Sequence, residues 1–269
     1  YNGAGRHHIT VRAEAHTGGA VANVSTDTRY FVVTGNKLTA AVNTGTYMVQ
    51  SAPSGSTQCQ WGADGIVDGN WFVFGTGAGK ATSSEWVDIT YRNNVVDTSA
   101  STTNAANVFV VSNENDGTCS VSGDYPIPTP TRNDFYNNTV YSSGSGTMFA
   151  FKVDGSLVGG AVTNTTITNN LAYAPNVGAN KTYLPYFVGT TTGLTHGNNS
   201  TDSWHGGADD GTNQIKLTTP NFTSVSPFTP ANAKSTSGYA IAGGVTVPVW
   251  SDFFLVTEPA TRDIGAVVH

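Results

Sequence analysis

Charge is what this chain has least of. Of its 269 residues only 11% are Asp, Glu, Lys or Arg, and 18 acidic residues against 12 basic ones leave a net charge of −6. Nucleic-acid binding rests on neutralising phosphates with Lys and Arg, so a mildly acidic chain with so few cations fits it poorly. Leu, Glu and Lys are too scarce for a helical protein. No run approaches the roughly 18 apolar residues of a membrane span. There are only two cysteines, Cys59 and Cys119. No signal peptide is visible. The first residue is Tyr1, not Met, and strand-like pattern begins by Ile9, so the expected state is a mature or partial product. HExxH, an EF-hand loop, a CxxC pair and GxSxG are missing. GTGAGK at 75–80 lacks the spacing, the following Ser/Thr and the helix pattern of a P-loop.

What is present in quantity is Thr, Asn, Ser and Gly, which with 38% hydrophobic residues points to an all-β fold with many turns and a sizeable core. The stretch VTNTTITNNLAY at 162–173 sets the pattern. Alternating Val, Ile and Thr make a short strand. Asn169-Asn170 makes a corner, because Asn tolerates left-handed backbone angles. A second short strand follows. The template is an apolar residue at −4 and −2 from a corner pair and another two residues after it.

Similar units recur as DITYRNNVV, RNDFYNNTV, YFVVTGNKL, WFVFGTG, VFVVSNEN, HITVRAE and LTHGNNS, with a further corner read after TYMVQ. The corners then fall at 13, 35, near 55, 75, 93, 113, 137, 169 and 198. A period near 20 residues with tolerated insertions predicts a β-solenoid of about nine or more coils, stacked at roughly the 4.8 Å strand spacing. The corner asparagines are expected to form a hydrogen-bonded ladder. A β-sandwich is the competing architecture. Loops at 51–65 and 114–131, rich in Gly, Ser and Pro, each carry one cysteine. A Cys59–Cys119 bond and two unpaired thiols both stay open, and a bond implies an oxidising or extracellular setting.

The C-terminal segment carries a resemblance. Asn221-Phe222, residues 237–244, Val247-Pro248-Val249 with Asp252-Phe253, and Asp263-Ile264-Gly265-Ala266 resemble the closing segment of right-handed parallel β-helix (pectin-lyase-like) proteins, and HHITVRAEA resembles an early strand of that family. The resemblance implies a single-stranded right-handed parallel β-helix over 1–220, with 221–269 as the closing segment of the same domain. It is more specific for fold than for function, because the family includes polysaccharide lyases, glycoside hydrolases, bacterial surface proteins, and phage tail spikes or virion decorations. LVTEP at 255–259 departs from a Gly-x-x-Arg-Pro turn common in relatives. The N-terminal cap that a coil end needs is expected from an earlier part of the chain or from a neighbouring subunit.

On such a fold an active site lies on an outward face. The outward ionisable residues of the pre-corner sheet are Asp88, Arg92, Arg132 and Asp134. With Asp88 and Asp134 two coils apart, about 10 Å, they approach the separation of an inverting glycosidase pair. A lyase reading uses Arg92 or Arg132 to neutralise a uronate, with Tyr or Lys152 as base. The competing reading is a surface ladder of Asp–Arg pairs. Trp61, Trp86 and Trp204 are candidates for stacking on sugar rings. Val32, Phe72, Phe74 and Val110 form an expected outward apolar stripe, either an interface or a surface covered by the chain's own loops. Asp202, Asp209 and Asp210, with His196 and His205 nearby, are a candidate calcium site or an ordinary polar loop; no other cofactor is expected.

The expectation is a non-catalytic surface component, of the phage virion type, contacting copies of itself or other chains of an assembly and also glycans, at a virion surface or outside the cell. The alternatives are a lyase or hydrolase of an acidic polysaccharide and a sugar-binding adhesin.

Overall fold

The computed structural model describes residues 7–8, 22–24, 31–51, 63–84, 87–101, 106–112, 131–145, 147–156, 161–176, 182–201, 215–217, 221–237, 241–249, 251–257 and 263–267. Its strands in chain order are β1 (His7–His8), β2 (Ala22–Val24), β3 (Phe31–Thr34), β4 (Lys37–Ser51), β5 (Ala63–Asp68), β6 (Trp71–Ser84), β7 (Val87–Arg92), β8 (Val95–Asp97), β9 (Ala106–Ser112), β10 (Asp134–Tyr136), β11 (Thr139–Tyr141), β12 (Met148–Gly155), β13 (Val162–Thr163), β14 (Thr166–Thr168), β15 (Leu171–Tyr173), β16 (Thr182–Tyr183), β17 (Tyr186–Gly189), β18 (Thr191–Thr192), β19 (Thr195–Gly197), β20 (Asn199–Thr201) and β21 (Ile215–Leu217). Among the described residues the only helical element is a single 3₁₀ turn, Pro230–Asn232.

Every pairing between these strands is parallel. One sheet runs β1-β3-β5-β7-β10-β14-β19; a larger one holds β2, β4, β6, β8, β9, β11, β12, β15, β16, β17, β20 and β21. The chain thus visits the first sheet, turns a corner, crosses the second sheet, and returns one strand further along the first. This nearly all-β arrangement of stacked parallel strands is compatible with a parallel β-helix.

The corners have one rule. Each is a pair whose first residue has positive φ and whose second is Asn: Gly35-Asn36, Gly69-Asn70, Asn93-Asn94, Asn137-Asn138, Asn169-Asn170 and Asn198-Asn199, with first-residue φ between 52° and 68°. Gly and Asn reach that region at least cost. The second residues form the ladder. Asn94 donates from its backbone N–H and from Nδ2 to Asn138 Oδ1, at 3.1 and 2.9 Å, and from Nδ2 to the Val67 carbonyl at 2.9 Å. Asn138 does the same to Asn170 Oδ1 and Tyr91 O, and Asn170 to Asn199 Oδ1 and Phe135 O. Asn70 bonds Asn94 Oδ1 and Val33 O alike. Asn70, Asn94, Asn138, Asn170 and Asn199 are completely buried.

Three residues before each ladder Asn, one inward column runs Val33, Val67, Tyr91, Phe135, Ile167, His196, in register. Two residues after it runs Leu38, Phe72, Val96, Val140, Ala172. Both columns enter one core, apart from His196 at the end of the first. Its centre is aromatic: Tyr91 stacks on Phe135 at 4.8 Å, and Phe109 on Phe151 at 5.0 Å. Each such pair adds about 0.5–1.5 kcal/mol beyond the area it buries. Where a large ring needs room the sequence gives it. Gly65 faces Phe31, whose ring leaves no space for a Cβ.

The corners read at 35, 93, 137, 169 and 198 are present, but the spacing is not 20. Successive ladder asparagines are 34, 24, 44, 32 and 29 residues apart. Gly75 is no corner and lies inside β6. The corner missed is Gly69-Asn70. The strand read before a corner at 113 is β9, which pairs with β6 and β12 in the second sheet, so it belongs to the same layer as β7. The corners read at 13, near 55 and at 113 lie outside the described residues, as do Cys59 and Cys119.

The C-terminal segment packs on the outside of the stack. Phe222 and Phe228 close around Tyr141 and Tyr173, with Tyr141–Phe228 at 4.4 Å. Residues 241–249 and 251–253 then run along the corner edge as a strap, and 263–267 return beside it. Leu255 has φ +63°. Asp252 Oδ1 holds that turn by accepting from the Phe254 and Val256 N–H groups.

Replacing Asn138 by Ala removes the acceptor for two Asn94 donors and the donors to Asn170 and Tyr91. With unsatisfied buried groups costing about 1–3 kcal/mol each, we expect a loss of at least about 3 kcal/mol, read as a lower denaturant midpoint. Asn138→Asp keeps the acceptor but loses the Nδ2 donor, and is expected to be destabilised as well. An Asn138→Ala variant of wild-type stability would show that the ladder is not what sets the register.

Candidate functional site

A second row of positive-φ residues starts the first-sheet segments: Asp64, Asp88, Arg132, Asn164 and Gly193. Each stands six residues before a ladder Asn. Asp88 and Arg132 therefore project from this corner, one layer apart, and not from the sheet face. They are joined by a two-pronged contact from Arg132 Nε and Nη2 to the Asp88 carboxylate. The pair is solvent-facing, with side chains 57% and 31% exposed, which limits its worth to about 0–1 kcal/mol. The Asp88 hydrogen bond raises the Arg132 guanidinium further above its already high range.

Arg92 and Asp134 lie on the sheet face itself. Arg92 is bound to Asp68 of the preceding layer, Nη2 to Oδ2 at 2.9 Å and Nε to Oδ2 at 3.0 Å. It also donates to the Pro248 carbonyl of the strap at 3.3 Å. Asp134 is in register with Thr90 on one side and Thr166 on the other. Burial pushes its carboxyl up, hydrogen bonds with the Thr166 and Tyr136 hydroxyls offset part of that, and the nearby Asp88 charge adds to the rise. Burial, with the charge of Asp134, pushes the Tyr136 hydroxyl up to about 12.

The four residues are thus not one constellation. Asp88 and Asp134 are in adjacent layers, not two coils apart, because β7 pairs directly with β10. That places their α-carbons roughly 8 Å apart by strand spacing and rise. Asp88 is engaged by Arg132, and Arg92 by Asp68. Lys152, considered as a base, is in β12 of the other sheet, where it binds Asp154 at 2.8 Å. Burial pushes the Asp154 carboxyl up, but hydrogen bonds from Lys152 and Ser156 outweigh it and hold it below its ordinary range.

The apolar stripe is corrected. Phe72 and Phe74 are core residues at 0% and 2% exposure. The corner precedes β6 at Gly69-Asn70, so Trp71 and Val73 take the outward positions. Lys37 lies over the Trp71 ring at 4.1 Å. Val110 is buried too, in register between Ser83 and Lys152. Only Val32 is half-exposed, next to Ile66. The large apolar side chains that do face solvent include Phe254, Leu255 and Val256 on the strap turn, at 48%, 82% and 52%.

Trp61, Trp86 and Trp204 lie outside the described residues, as do Asp202, His205, Asp209 and Asp210. His196 is buried at the end of an inward column, its ring 5.6 Å from Phe187. Among the described residues no group of three potential metal ligands converges.

Sequence reading missed Asp68 and the strap as parts of this face. The signal for Asp68 was present: Asp68-Gly69-Asn70 repeats the Gly-Asn corner of 35–36. Nothing local announces that Val247 and Val249 will cover Tyr136.

Because folding raises the Asp134 carboxyl above its ordinary value of 3.8, the ionised form is disfavoured in the folded state. Its favourable contribution is present at pH below the unfolded value and is lost as pH rises through the folded one. Asp134→Asn is expected to raise Tm at neutral pH relative to wild type, and the gap is expected to close as pH falls toward 4. A gap that is absent at pH 7 or widens in acid would show that the carboxyl is not destabilised.

Compared with known proteins, this chain matches no family model, no curated protein and no solved structure.

Proposed function

We propose that this chain is a single-stranded right-handed parallel β-helix of the pectin-lyase-like type that serves as a non-catalytic structural element of a surface assembly. The setting proposed is a phage virion, as tail spike, fibre or capsid decoration, with contacts to further copies or other chains and to glycans. The observation that carries this reading is how the charged groups are used. Arg132 holds Asp88 and Arg92 holds Asp68, while Tyr136 packs against Val247 and Val249 of the strap. Acids and bases that serve catalysis must reach a substrate proton; here Arg132 and Asp88 at the corner, and Arg92 and Asp68 on the face, are engaged with one another. The exposed apolar turn at 254–256 supports contact with another chain.

A second reading, hydrolysis of an acidic polysaccharide, is favoured by one observation. Asp134 has a carboxyl pushed up by burial, and a second carboxyl group, Asp88, stands in the adjacent layer, an arrangement of two carboxyl groups that glycosidases use.

A panel of acidic polysaccharides incubated with the protein separates the two. The structural reading expects neither new reducing ends nor unsaturated uronate products. Product release abolished by Asp134→Asn would overturn it in favour of the hydrolase. Sedimentation of the intact chain is expected to give an oligomer, shifted toward monomer by Leu255→Ser. A wild-type monomer at high concentration would count against an assembly role.

A further inference from the structure

At three corners the first residue is an Asn whose side chain bonds the C-terminal strap. Asn198 Nδ2 donates to the Gly243 carbonyl at 2.9 Å. Asn169 Nδ2 donates to the Val245 carbonyl at 2.7 Å, and its Oδ1 accepts from the Val245 N–H at 3.0 Å. Asn93 Nδ2 donates to the Ser251 carbonyl at 2.9 Å. Corner asparagines from three layers therefore hold the backbone of one extended segment that crosses the layers. At Gly69, where the side chain is absent, the strap is already at Phe253, whose carbonyl lies 4.0 Å from where a Cβ would be.

The two runs of the strap are attached differently. The return run is buried throughout from Asp263 to Val267. Ile264 packs on Leu171, the Gly265 N–H donates to the Asn169 carbonyl at 2.8 Å, and the Ala266 N–H donates to Thr139 Oγ1 at 2.8 Å. Of the outer run, Ala242, Val245, Thr246 and Pro248 are exposed. Its buried apolar residues, Val247 and Val249, contact Tyr136 in a cluster separate from the main core. Segments with few buried apolar contacts and exposed hydrogen bonds open at lower free energy than the core around them.

We infer that residues 241–249, with Ser251, are a latch: an outer run that opens as a unit while the stack and the return run stay folded, and that in closing covers Tyr136 and Arg92. Opening bares Tyr136 beside Asp134 and frees the corner asparagines, a row of amide groups spaced by layer and suited to an extended polymer. The inference does not depend on whether the chain is catalytic.

Glycine is the clean substitution here, because Gly35 and Gly69 occupy the same corner position with the same sign of φ. The test is native-state amide exchange of the full chain, comparing wild type with Asn93→Gly/Asn169→Gly/Asn198→Gly. Asn164→Gly is the control. It also stands at positive φ but bonds Thr131 and not the strap, so it carries the entropy cost of glycine without touching the latch.

In wild type the Val245 and Ala242 amides are expected to exchange at least about tenfold faster than those of Gly265, Ala266, Asn94 and Asn138, after correction for intrinsic rates. The triple variant is expected to widen that ratio by about tenfold or more, since three layers lose amide bonds, whereas Asn164→Gly leaves it unchanged. Acetylation at Tyr136, located by mass spectrometry, is expected to speed up with the ratio. Exchange of all these amides at one common rate, or a ratio unmoved by the triple variant, overturns the latch. If the triple variant does not fold, the wild-type ratio and the single Asn198→Gly variant decide by the same criteria.

Discussion

A buried primary amide has two donors and an acceptor to satisfy, and the stack is built around satisfying them. In the Asn70–Asn199 column each Oδ1 accepts from the backbone N–H and the Nδ2 of the preceding layer, while Nδ2 also reaches a carbonyl three residues before the previous ladder Asn. No other side chain has that combination of length, planarity and donor count. A slip of one residue would break several of these bonds at once and turn the inward columns outward. The ladder therefore fixes register in both sheets, and Val33–Ile167 and Leu38–Ala172 align as a consequence. The constraint acts only at the corner. Between corners the chain is free to take 24 residues or 44, which is why insertions do not disturb the layers on either side.

The neighbour of each ladder Asn does a different job. It must adopt positive φ, and either Gly or Asn serves that need. Asn appears at 93, 137, 169 and 198, and at 93, 169 and 198 its side chain bonds the strap. At Gly35 and Gly69 no such bond is made. What looks like a repeated dipeptide is thus two positions with separate jobs, one paired inside the stack and the other, at 93, 169 and 198, bonded to the strap.

How much of this was legible depends on the residue. Asn93-Asn94, Asn137-Asn138 and Asn169-Asn170 are explicit in the sequence, and their inward partners Tyr91, Phe135 and Ile167 follow from a period of two. WFVF was misread because an alternating strand of four apolar residues reads equally well in either phase. Only the corner decides, and Gly69-Asn70 was passed over for Gly75. Read from Gly75, Phe72 and Phe74 face outward; read from Gly69-Asn70 they face the core. VFVVSNEN separately suggests a further corner at 113, which makes β9 look like a coil of its own. The candidate site suffered from the same miscount. Asp88 and Asp134 came closer together, and the arginines acquired partners, Asp68 among them, that no local pattern connects to them.

The sequence by itself determined that the chain is nearly all β, that its corners are Asn-rich and carry a ladder, and which side of most first-sheet strands is buried. These are local properties: backbone preference at the corner and alternation along a strand. Tertiary structure alone decided which strands share a layer, because β7 and β9 are indistinguishable as isolated apolar strands and differ only in which neighbours bond them. It alone decided what the outward face does, since the strap that covers Tyr136 and binds Asn93 lies more than 100 residues away in sequence, and no period or motif encodes contact at that distance.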